Sequence, residues 1–144
     1  MPSDSLLFAE KITSMIITKI PYAEIRKELE DTLDSNQSLE WGEVGRRIVA
    51  ITVSGEHEFF IRMNLLDFAM QAFEVDGEDS TLERFQVQFE LAKIYSDQAG
   101  LKRKFELYED LVEGATSRLE KNSTGDPFYY WLTRPLNRLA QLTQ

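Results

Sequence analysis

With 144 residues, 42% of them apolar and 28% charged, the chain reads as one soluble globular domain, long enough to bury a sizeable core. It has no cysteine, which excludes disulfides, thiolate nucleophiles and cysteine-ligated zinc. Twenty-five acids against sixteen Lys and Arg give a net charge of −9, which repels nucleic acid and anionic membranes and favours a basic partner.

The start, Met-Pro-Ser-Asp-Ser, lacks the basic segment of a signal peptide. No run reaches the roughly 20 apolar residues of a membrane span. The expected location is the cytoplasm, with no membrane contact.

A first helix is predicted to about residue 19, with Leu7, Phe8, Ile12, Met15, Ile16 and Ile20 recurring at helical spacing. Pro21 cannot continue it but suits the first turn of a second helix, which runs to about residue 33 on a thin stripe of Tyr22, Ile25, Leu29 and Leu33. After a polar loop, Ser38 is the expected cap of a third helix, about 39–53, whose seam is Trp41, Val44, Ile48 and Ile51. Gly42 and Gly45 weaken that helix and are expected to admit a close neighbour. Its second half, Ile48-Val49-Ala50-Ile51-Thr52-Val53, is β-branched enough to compete as a strand. Arg46 and Arg47 are read as local ion-pair partners.

Residues 56–75 form the most apolar helix. Phe59, Ile61, Met63, Leu65, Leu66, Phe68, Ala69, Met70, Ala72 and Phe73 cover most of its circumference, so several neighbours must cover it. His57, Asn64, Asp67, Gln71 and Glu74 share a narrow polar strip. Arg62 lies inside the apolar arc, either paired with Glu58 or with its stem lying along apolar surface. The fold expected is all-α, an irregular bundle of six or seven helices around this one.

The loop 74–79 is the most acidic in the chain. Residues 56–80 carry seven acids against Arg62 alone, a balance of −6. Ser80-Thr81-Leu82-Glu83 reads as a capping box for a fifth helix, about 81–98, with Leu82, Phe85, Phe89, Ala92 and Tyr95 inward. A sixth helix, about 101–121, repeats Leu101, Phe105, Tyr108, Val112, Ala115 and Leu119 by threes and fours and suits an antiparallel hairpin with the fifth. In Leu91-Ala92-x-x-Tyr95 and Glu106-Leu107-Tyr108-Glu109 this pair resembles a tetratricopeptide hairpin over about a quarter of the chain. It departs from that family at Lys104 and Leu111, where small residues belong, and no second copy follows at about 34 residues. Asp126-Pro127 starts a last helix to about residue 142, which places Tyr130, Arg134, Asn137 and Gln141 opposite its apolar face.

Little here can carry chemistry. His57 is the only histidine and has no triad partners in its vicinity in sequence. No phosphate-binding glycine loop and no paired metal-ligand helix is present, and the acids of 74–79 match only a fragment of a calcium loop. The expectation is a non-enzymatic protein with neither cofactor nor metal: an inhibitor, immunity-type or adaptor protein that engages a basic partner. Asp67, Gln71, Glu74, Asp76, Glu78 and Asp79 form its acidic face. Tyr129, Tyr130 and Arg134 form a second surface, for a partner or for a homodimer through the C-terminal helix. A small-molecule-binding bundle or enzyme subunit, with a pocket at Phe59, Met63 and Met70, is the alternative.

Overall fold

Apolar spacing by threes and fours folds as helix throughout. The computed structural model describes residues 4–35, 39–95, 100–121 and 128–142, and among them it is all-α, with no strand. The helices are α1 (Asp4–Ile17), α2 (Tyr22–Asp34), α3 (Trp41–Ser54), α4 (Phe59–Asp76), α5 (Thr81–Ile94), α6 (Leu101–Lys121) and α7 (Phe128–Leu142), with a 3₁₀ turn Gly77–Ser80 between α4 and α5. Among the described residues no helix is long and apolar enough to cross a membrane. The chain divides into two compact units, Met1–Thr81 and Leu82–Gln144.

In the first unit α3 and α4 are the most closely packed pair, and α1 lies on both. The glycines of α3 make this possible. A Cβ added at Gly45 would meet the Phe73 ring at 2.6 Å, and one at Gly42 would meet Asp76 Oδ2 at 2.9 Å. Gly42 faces Asp76 and Gly45 faces Phe73, so the two helices run antiparallel. Phe8 of α1 meets Trp41 edge to face at 5.5 Å and Phe68 at 6.3 Å. Ile12, Ile25, Val44, Ile48, Leu65 and Phe68 complete the core. Leu7, expected inward, is half exposed.

The β-branched run of α3 is helical because Ile48 and Thr52 are buried on the helix face that meets the core; the buried Thr52 hydroxyl is satisfied by donating to the Ile48 carbonyl at 2.8 Å. Packing outweighs a propensity difference of under about 1 kcal/mol per residue. Ser38, the expected cap, lies outside the described residues. Glu40 holds the N-cap position, its carbonyl accepting from the Glu43 and Val44 amides, and its own amide donates to Ser5 Oγ of α1 at 2.8 Å.

Helix α4 starts at Phe59, three residues later than predicted. His57 is the reason. Its Nε2 lies 3.2 Å from the Ile51 carbonyl oxygen. A carbonyl only accepts, so Nε2 carries the proton and covers one of the open carbonyls at the end of α3. Arg62 is exposed, and Glu58 pairs with Lys19 at 3.0 Å instead. Arg47 reaches Glu10 at 3.5 Å.

In the second unit α5 and α6 form the antiparallel hairpin: Phe85 lies against Gly114, while Gln88 and Phe89 meet Leu107, Asp110 and Tyr108. The seam of α6 differs from the predicted one. Leu107, Tyr108, Leu111 and Ala115 are buried and Leu101 is exposed, because α7 packs on α6 as well as α5 does, so two adjoining faces are covered. Helix α7 runs through a buried Pro135. Asp126 and Pro127 lie outside the described residues.

Candidate functional site

The net charge is confined to one unit. Met1–Thr81 holds sixteen acids and seven Lys and Arg, a balance of −9; Leu82–Gln144 holds nine of each. Within the first unit the acids gather where α4 ends. Glu74, Asp76, Glu78 and Asp79 are all exposed. The antiparallel packing brings the start of α3 alongside, which adds Glu40 and Glu43 to the group. The Glu40 carboxyl is pushed above the usual carboxylate range by its hydrogen bond with Glu43 and by that neighbour's charge, with Asp76 acting in the same direction. Arg46 is the base in this group; its guanidinium and the Asp76 carboxylate both border Gly42.

Asp76 also has a structural task. The buried Ser80 hydroxyl donates to Asp76 Oδ2 at 2.6 Å, and the 3₁₀ turn leads into α5 without the extended residue that a capping box requires. The box read at Ser80–Glu83 is therefore replaced by a bond that ties the end of α4 to the turn.

Asp67 and Gln71 stand apart from the acidic end. Both are half-buried and face Tyr22 at the start of α2. The Tyr22 hydroxyl donates to Asp67 Oδ2, and the Gln71 carboxamide donates to Tyr22 Oη at 3.0 Å and to Asp67 Oδ2 at 2.8 Å. Burial, then the Asp67 charge, pushes the Tyr22 phenol well above its ordinary range. The polar strip is thus interrupted by Tyr22, and the six predicted acidic-face residues fall into two settings: four exposed acids, and an inward pair that holds α2.

Tyr129 and Tyr130 belong to α7, but their side chains lie outside the described residues. Arg134 is exposed, and its guanidinium lies 5.1 Å from the centre of the buried Phe89 ring, with Lys93 Nζ at 5.3 Å.

Of the residues expected to line a pocket, Phe59 is exposed and Met63 half-buried. Met70 is buried in the core. A groove of about 240 Å³ lies between the end of α1 and the start of α4, lined by Ile16, Lys19, Ile20, Glu58, Phe60, Ile61 and Asn64. Among the described residues, no three His, Asp or Glu side chains converge so as to hold a metal ion. Glu40, Glu43 and the groove escaped sequence reasoning, because each joins helices far apart in the chain; Gly42 was the one available signal for the first two.

No protein-family model matches the chain, and neither does a curated protein or a solved structure.

Proposed function

We propose that this chain is a non-enzymatic protein-binding protein, of inhibitor, immunity or adaptor type, whose acidic end receives a basic partner protein. The observation that carries the reading is the continuation of the exposed carboxylates of Glu74, Asp76, Glu78 and Asp79 onto Glu40 and Glu43. Glu43 and Asp76 lie close enough to Glu40 to raise the proton affinity of its carboxyl. A cationic surface relieves that repulsion on docking, and the field steers it in.

The test is capture from the source lysate at low salt, with elution by a salt step. A basic protein should be retained and released by salt. Glu74→Lys, Glu78→Lys and Asp79→Lys together should abolish its retention. Asp76 is left in place because Ser80 depends on it. Retention by the triple variant equal to that of the natural chain overturns the reading.

A further inference from the structure

The acidic end has an opposite. Where α1 and α3 finish and α4 begins, Ile17, Val53, Phe59 and Phe60 are all exposed, Phe60 by 66% and Val53 by 79%. Phe59 and Phe60 meet edge to face at 5.2 Å. Phe60 also forms one wall of the 240 Å³ groove, whose apolar floor comes from Ile16, Ile20 and Ile61. Solvent-facing aromatic side chains beside an apolar groove mark an interaction surface.

Lys19 adds a second observation. The Ile20 amide donates to the Met15 carbonyl at 3.0 Å and the Lys19 amide to the Ile16 carbonyl at 3.1 Å, the pattern that closes a helix with a left-handed residue. That residue is usually glycine. Here it is Lys19, at φ 63°, the one non-glycine residue with positive φ among those described. The conformation carries its ammonium to Glu58, 3.0 Å away at the rim of the groove. An unfavoured lysine that places a charge at a groove is a device of the kind found at functional sites.

We propose that this end is a self-association surface that takes a second copy of the chain. Charge selects that occupant. Two copies at −9 repel, and least where their local charge balances. At this end Lys19 and Arg62 stand against Glu56 and Glu58, whereas the other end carries six carboxylates around Arg46. Shape agrees, since Phe60 is both a protruding knob and a groove wall. About a twofold axis each copy's Phe60 enters the other's groove, and the Lys19–Glu58 pairs at the two groove rims face one another, which is the reciprocity an isologous interface demands. The acidic ends then point away from the contact.

Sedimentation of the full chain from micromolar to millimolar concentration tests this. A dimer is expected whose affinity is unchanged or tightened by added salt, in contrast with capture at the acidic end. Phe60→Asp should weaken it about tenfold or more. Lys19→Glu and Glu58→Lys should each weaken it, and together should restore it. Because the chain has no cysteine, Phe60→Cys supplies a single thiol; mild oxidation should give a covalent dimer, and Glu78→Cys at the acidic end should not. The triple lysine variant at the acidic end should dimerise as the natural chain does, which separates this surface from the one proposed for the basic partner. A monomer at every concentration overturns the proposal. So does a dimer that Phe60→Asp leaves intact, or faster cross-linking through Glu78→Cys.

Discussion

Gly45 of α3 lies directly against the ring of Phe73 in α4, so close that a Cβ added to the glycine meets Phe73 Cε1 at 2.6 Å and Cζ at 2.8 Å. Phe73 is itself 2% exposed and has nowhere to retreat. In an ordinary helix, alanine in place of glycine gains up to about 1 kcal/mol. Here overpacking costs about 1–3 kcal/mol and wins. Gly45→Ala should therefore lower the urea midpoint of unfolding. Gly42→Ala meets single polar atoms of Asp76, Ser80 and Arg46 at 2.9–3.2 Å rather than a buried ring; the exposed Asp76 and Arg46 side chains can give way, so it should cost less. Equal losses for the two would show that the Phe73 contact is not what sets the α3–α4 distance.

Tyr22 holds the start of α2 to α4 through Asp67 and Gln71. Since α2 buries only Ile25 and Leu29, this attachment is a large part of its docking. Tyr22→Phe leaves Asp67 and Gln71 without the hydroxyl and should destabilise the chain by about 1–3 kcal/mol at neutral pH. The pH dependence has a definite sign. Burial and Asp67 raise the folded-state pKa of Tyr22, so its stabilising contribution is complete below the free phenol value of about 10 and is lost as pH rises beyond it. Urea unfolding at pH 7 and again above pH 10 should show the difference between the natural chain and Tyr22→Phe shrinking at the higher pH. A difference that does not change with pH would separate Tyr22 from alkaline destabilisation.

Glu40 senses the acidic end. Its proton affinity is raised first by its hydrogen bond with Glu43. Glu43→Gln removes that charge and offers an amide donor to the Glu40 carboxylate. Carboxyl-resonance NMR should then find Glu40 titrating at lower pH than in the natural chain. An unchanged or higher titration point would mean that the two carboxylates do not meet in solution.

Gln88 is the buried polar anchor of the second unit, 2% exposed, donating to the Leu107 carbonyl at 3.0 Å and to Asp110 Oδ2 at 2.9 Å. Gln88→Glu has almost the same shape but sets a carboxylate against both acceptors. It should destabilise the α5–α6 hairpin by about 1–3 kcal/mol at neutral pH, with recovery as acid protonates the new side chain. Thermal unfolding at pH 7 and pH 4 measures this. Full stability at pH 7 would mean that the carboxamide is not needed as a donor.

Much of this was legible in the chain. The helices came from apolar spacing, the start of α2 from Pro21, and the close approach of some neighbour to α3 from two glycines; that the neighbour is α4 was not legible. The boundaries moved where side chains from elsewhere intervened: His57 closed α3 and delayed α4, and Ser5 of α1 served the start of α3. Wheel geometry put Asp67 and Gln71 on the same strip as Glu74, which is right for an isolated helix. It gave no hint that Tyr22, forty-five residues earlier, would cover the middle of that strip.

The all-α class and the acidic character follow from residue types and local periods, which need no partner to express. Which charges become neighbours follows from packing. The antiparallel pairing of α3 with α4 brings Glu40 and Glu43 to Asp76, and the approach of α1 to the start of α4 makes a groove from Ile16, Lys19 and Phe60. Local patterning governs which face of a helix is apolar. Which two faces meet, and at what register, depends on the side chains that fit between them, as the Phe73 ring fits only a glycine at position 45.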